Sequence, residues 1–88
     1  MQDAYGVAAF RSRQQVLRLE TALRRRGIPA QVISTPRDIS MGCGLSVWFS
    51  LRDQQAVRRA LAAGPASNLI GLYRAEYDGA RLRVSQLQ

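Results

Sequence analysis

Cys43 is the only cysteine of the chain, and it stands between Gly42 and Gly44 in the stretch "TPRDISMGCGLSVWF" at 35–49. A thiolate is a nucleophile, and nearby cations or a helix amino end lower a thiol's pKa. Pro36 and Arg37 precede the cysteine by a few residues. A guanidinium offers a fixed fork of donors for an anion, a persulfide or a carboxylate. Each of these residues also has a plainer reading. Free cysteine often just fills space in a core. Pro36 stiffens a turn, Arg37 is solvated or neutralised by Asp38, and the two glycines serve a turn that needs positive φ before the following strand.

Little else in the chain suits catalysis. The 88 residues hold 13 basic side chains, all arginine, against six acidic ones, for a net charge of +7. Histidine is absent, which removes the commonest acid–base group near neutral pH and the commonest metal ligand. One cysteine and scattered carboxylates make no tetrahedral zinc site. No metal and no resident cofactor are expected, and an enzyme is not expected. The charge instead points to an anionic partner: nucleic acid, phosphate or an acidic protein.

The elements that position these residues read as follows. Residues 4–10 form a strand. Ser12 caps a helix, with Gln15 at the capping-box spacing. Val16, Leu19 and Leu23 give that helix its buried face. Arg24, Arg25 and Arg26 sit at its carboxyl end, where they serve the helix dipole or, as a sharper reading, contact phosphate. Gly27 and Pro29 stop it. Residues 30–34 form a second strand, and the loop 35–44 leads to a third, in which Leu45, Val47 and Phe49 alternate with Ser46, Trp48 and Ser50. Ser50 with Asp53 caps a second helix over 51–63, with Ala56, Val57, Ala60 and Leu61 on its apolar side, and Gly64-Pro65 ends it. A strand over 69–77, a turn at Asp78-Gly79 and a last strand with alternating Arg81, Leu82, Arg83 and Val84 complete the chain.

The expected fold is therefore α+β: a ferredoxin-like βαββαβ sandwich, with both helices on one face of an antiparallel sheet and an added edge hairpin at the carboxyl side. One domain spans 1–88, with a core over 4–77 and a hairpin extension over 78–88. The ten-residue loop 35–44 is long for a hairpin connection, and long ordered loops often carry function. In this topology it lies beside the amino end of the first helix, so Arg11, Arg13 and Arg37 are expected near the thiol.

The run Pro36-Arg37, Ile39-Ser40, Cys43-Gly44 fits a pattern P-R-x-I-S-x-x-C-G. It resembles that of the selenium/sulfur (Se/S) carrier protein-like family of small bacterial domains. The framing "RRRGIPAQVIST" and the later Gly71, Tyr73 and Arg74 are similar as well, so the resemblance covers residues 4–75. It implies that Cys43 carries sulfur or selenium as a transient persulfide or selenenyl-sulfide, supported by Pro36, Arg37, Ser40, Gly42 and Gly44. It also implies two partners, a donor such as a cysteine desulfurase and an acceptor enzyme.

The alternative is a basic interaction module, binding nucleic acid or protein, in which Cys43 is structural. Trp48 and Tyr73 are the candidates for base stacking on the open sheet face, but no aromatic-rich ribonucleoprotein motif is present. Nucleic-acid binding is thus expected to be weak and unspecific. Trp48 is otherwise read as a homodimer contact or as outer sheet packing. A single cysteine, the lack of a basic-then-apolar leader and the lack of a long apolar run give a cytoplasmic expectation with no membrane partner.

Overall fold

The structure, a computed structural model, describes residues 4–39, 41–64 and 67–87. Its elements are β1 (Ala4–Phe10), α1 (Arg13–Arg25), β2 (Ala30–Ser34), β3 (Leu45–Phe49), a 3-10 turn (Leu51–Asp53), α2 (Gln54–Ala62), β4 (Leu69–Asp78) and β5 (Arg81–Gln86). All five strands form one sheet in the order β2-β3-β1-β4-β5, and every adjacent pair is antiparallel.

β1 is the central strand, and its alternation sorts the core into two layers. Ala8 and Phe10 face a cluster that includes Val16, Leu19 and Leu23 of α1 and Val57 and Ala60 of α2. Val7 and Ala9 point the other way, into a second cluster with Ile39 and Ala75 that contains no helix residue. Both helices thus pack on one face. Gly6 belongs to the helix side, opposite Phe49. A methyl group there would overlap the Phe49 ring, so the bare backbone at Gly6 is what lets that ring lie flat across β1. β4 meets β1 with a register shift between Ala9 and Phe10, where Ala9 faces Gly71 and Phe10 faces Leu69. The extra residue, Ile70, turns into the helix-free cluster, as a bulge re-aims a side chain.

α1 follows its sequence signals. The Ser12 hydroxyl accepts from the Gln15 amide at 3.4 Å. The reciprocal half of the capping box is not made: Gln15 Oε1 is buried with no partner among the described residues. At the other end, the Ile28 amide donates to Leu23 O at 2.9 Å and that of Gly27 to Arg24 O at 3.0 Å. This is the Schellman closure, with Ile28 packed beneath it on the helix-side cluster. Arg24 also pairs with Glu20 one turn back, at 2.9 Å.

Three expectations need correction. The second helix is not continuous over 51–63: its first turn is 3-10, and neither Ser50 nor Asp53 makes a side-chain cap. The chain leaves β3 so closely that Ser50 is buried and its carbonyl is taken by the Asp53 amide at 2.9 Å, which tightens the turn. The hairpin turn is Gly79-Ala80, not Asp78-Gly79. Asp78 stays in β4 opposite Arg81, and positive φ is needed only at Gly79, as a II′ turn requires. Ser46, expected on the open face of a half-buried strand, is wholly buried, because the loop after β2 covers it. Pro65, expected to help stop α2, lies outside the described residues, as do Ser40 and Gln88.

Candidate functional site

The loop 35–44 is tied at its neck and divides beyond it. The Thr35 amide donates to Gly44 O at 3.0 Å, and the Thr35 and Ser46 hydroxyls share a hydrogen bond of 2.7 Å. The first arm turns at Pro36, whose carbonyl accepts from the Ile39 amide at 3.0 Å. Ile39 then sits 8% exposed in the helix-free cluster, with Val7, Ala9 and Ala75. Leu82 and Val84 of β5 pack on the same cluster. A space of about 440 Å³ separates Pro36, Arg37 and Asp38 from Arg81, Leu82 and Val84. The added hairpin is therefore not an ornament on a far edge. It shares one apolar layer with the motif loop, a contact that no local pattern in the sequence signals.

The second arm carries the thiol. The Cys43 amide donates to Phe10 O at 3.1 Å, which fixes it to the last residue of β1. Phe10 is two residues ahead of Ser12, the cap of α1. The backbone reaches this position through Gly42 at φ +115 and leaves it through Gly44 at φ +88. A Cβ on Gly42 would lie 2.7 Å from Phe10 O, the oxygen that accepts from Cys43, whereas one on Gly44 would meet open space. Cys43 is half-buried. Its carbon packs on the helix-side cluster, and its Sγ lies 3.6 Å from Leu45 O. Met41, just upstream, is 55% exposed; nothing in its neighbours in sequence marked it out.

Among the cations expected here, Arg11 and Arg13 are exposed around the α1 cap and Arg37 is exposed on the first arm. No ion pair joins any of the three to a described carboxylate. In particular, Asp38 does not neutralise Arg37, while Glu20, Glu76 and Asp78 pair with Arg24, Arg74 and Arg83. No three His, Cys, Asp or Glu side chains gather to hold a metal among the described residues. No helix among them is long and apolar enough to cross a membrane.

The aromatic residues divide by face. Trp48 and Tyr73 both pair with Val7, and Tyr5 and Tyr77 share their side of the sheet by strand alternation. Phe10 and Phe49 turn to the helices. Burial, and then the neighbouring Tyr77, raise the Tyr5 phenol above its ordinary 10.0.

The chain is a small α+β fold in which a half-buried cysteine stands on a glycine-framed loop anchored to the central strand. More particularly, the chain belongs to the family described as "Putative Se/S carrier protein-like", whose model matches residues 5–68. The match takes in the whole loop 35–44 and ends before β4, so Gly71, Tyr73 and Arg74 lie beyond it. Comparison with the curated proteins and with the solved structures found no match.

Proposed function

We propose that the protein is a non-enzymatic carrier that receives a sulfur or selenium atom on Cys43 and passes it on. The carrying observation is the backbone around Cys43: its amide is held by Phe10 O beside the start of α1, between two glycines that both take positive φ. Membership of the carrier-like family supports the same reading. In the loading step the Cys43 thiolate attacks the outer sulfur of a donor persulfide. The donor's S–S bond breaks, its inner sulfur leaves as a thiolate, and Cys43 becomes the persulfide with no net oxidation. Selenium follows the same course from a donor selenenyl-sulfide. Unloading repeats the exchange toward an acceptor. The donor is a cysteine desulfurase-like enzyme, the acceptor a second enzyme, and the setting the cytoplasm.

The ferredoxin-like plan is our reading of the fold that carries this site. The chain order of the first six elements and the shared face of both helices support it, and β5 is an addition to it.

The test is incubation with a cysteine desulfurase and cysteine, followed by intact-mass measurement. The expected result is a single-sulfur mass gain that is lost in Cys43→Ser. No gain, together with a native thiol that alkylates more slowly than in the unfolded chain, would sink the carrier reading. Cys43 would then be a packing residue of a basic interaction module, the reading that its contact with the helix-side cluster favours.

A further inference from the structure

A second candidate site lies at the other end of the sheet from Cys43. Cys43 neighbours the last residue of β1, whereas this groove forms around the first residues of β1, the start of β2 and the exit of β3. Trp48 is its wall on two sides. One part, about 500 Å³, runs past Tyr5, Gln31, Ser50 and Arg52, and the other, about 440 Å³, runs past Gln31 and Arg24. No described carboxylate lines either part. Arg52 is exposed, and Arg24 engages Glu20 through its Nε. The groove also contains an unexplained polar group. Ser50 is 6% exposed, lines the groove, and its Oγ has no hydrogen-bond partner among the described residues. Buried hydroxyls are normally satisfied, so an orphan at the wall of an open groove points to a ligand that supplies the partner.

From this arrangement we infer that the groove binds single-stranded nucleic acid, with a base stacked on Trp48 and flanking phosphates on Arg24 and Arg52. The indole gives a planar, half-exposed platform. Arg24 lines one part of the groove and Arg52 the other, with Trp48 common to both, so a cation stands on each side of the indole as a phosphate stands on each side of a base along a strand. Gln31 and Ser50 offer polar groups to a base edge. Stacking of this kind tolerates any base, because every base has a π-face. The binding is therefore sequence-tolerant, and it falls with salt as counterions are released. A net charge of +7 carried wholly by arginine favours the encounter. This inference does not depend on Cys43 chemistry.

Trp48 is the only tryptophan, so its fluorescence reports on the groove directly. The probe is a fluorescein-labelled ten-uridine RNA, read by anisotropy, with quenching of Trp48 as the second signal. Saturable binding at low salt with quenched tryptophan emission is expected. Arg52→Ala should weaken it about tenfold and lower the salt slope by about 0.7. Trp48→Ala should weaken it about 5- to 100-fold, with Trp48→Phe retaining most of the affinity. Ser50→Ala should leave stability unchanged or raised and still weaken binding. Arg18→Ala, which removes the same charge from the exposed side of α1, should change affinity less than twofold. The inference is overturned if Arg18→Ala weakens binding as much as Arg52→Ala does, which would mean diffuse charge alone. It is overturned equally if a ten-glutamate peptide competes as well as the RNA, or if the protein self-associates through Trp48 and the RNA does not quench it.

Discussion

The hydroxyls of Thr35 and Ser46 meet at 2.7 Å across the neck of the loop that holds Cys43. Ser46 is fully buried on β3, so Thr35 satisfies a group that water does not reach. Thr35→Val keeps the shape but orphans Ser46, and a buried unsatisfied hydroxyl costs about 1–3 kcal/mol. The double variant Thr35→Val/Ser46→Ala should recover part of that loss. Urea unfolding of the two singles and the double measures the coupling. Simple additivity would mean that the pair does not stabilise the neck.

Gly42 and Gly44 should respond unequally to alanine. Both have positive φ, but only at Gly42 does the added methyl press a backbone carbonyl. Gly44→Ala should cost about 1–2 kcal/mol from its backbone conformation. Gly42→Ala should cost more, about 3 kcal/mol. It should also reduce sulfur loading further than Gly44→Ala, because the displaced carbonyl of Phe10 is the one that holds Cys43. Thermal unfolding and the mass assay together check both parts.

Gly6→Ala tests the packing of β1 against β3. The new methyl meets the Phe49 ring, which is itself fully buried and has no room to withdraw. Overpacking of this kind costs about 1–3 kcal/mol. The companion change Phe49→Leu should relieve the clash, so that Gly6→Ala costs less in that background than in the wild type. Equal costs in the two backgrounds would show that the ring is not the obstacle.

Tyr5 gives a pH dependence with a definite sign. Its folded pKa is raised above 10.0, chiefly by burial and then by Tyr77. Between the unfolded and folded values the unfolded chain has released more protons, so stability falls as pH rises. The contribution is intact below about 10 and is lost as pH climbs through the folded value. Tyr5→Phe should flatten the fall in unfolding midpoint above pH 10. An unchanged slope would assign the loss to other groups.

Much of the fold was legible because its signals are local. Ser12, the spacing of Val16, Leu19 and Leu23, and the Gly27-Ile28 closure place α1 without reference to the rest of the chain. The alternation of Leu45, Val47 and Phe49 places β3 and assigns its helix-side face. The misses are nonlocal. Ser50 has the residue type of a cap, but its burial at the exit of β3 sets a 3-10 turn instead. Ile39 looks like one apolar residue in a polar loop, and only the folded sheet shows that it meets Ala75, Leu82 and Val84. The candidate thiol was legible as a lone cysteine between glycines. Its anchor, Phe10 O, was not, because a backbone hydrogen bond across 33 residues leaves no trace in side-chain pattern.

The place of β1 in the sheet also sets a timetable for synthesis. Val7 pairs with Trp48 on one side and Tyr73 on the other, so neither hydrogen-bonding edge of the first strand is filled by its neighbour in sequence. While the chain emerges, α1 and the β2–β3 pair have local contacts to form, but β1 keeps an open edge until β4 has left the ribosome. Closing such distant pairings carries the loop entropy that slows folding. The nascent chain therefore keeps one edge of its most apolar strand open until β4 emerges, and completion of the sheet around β1 is a late event.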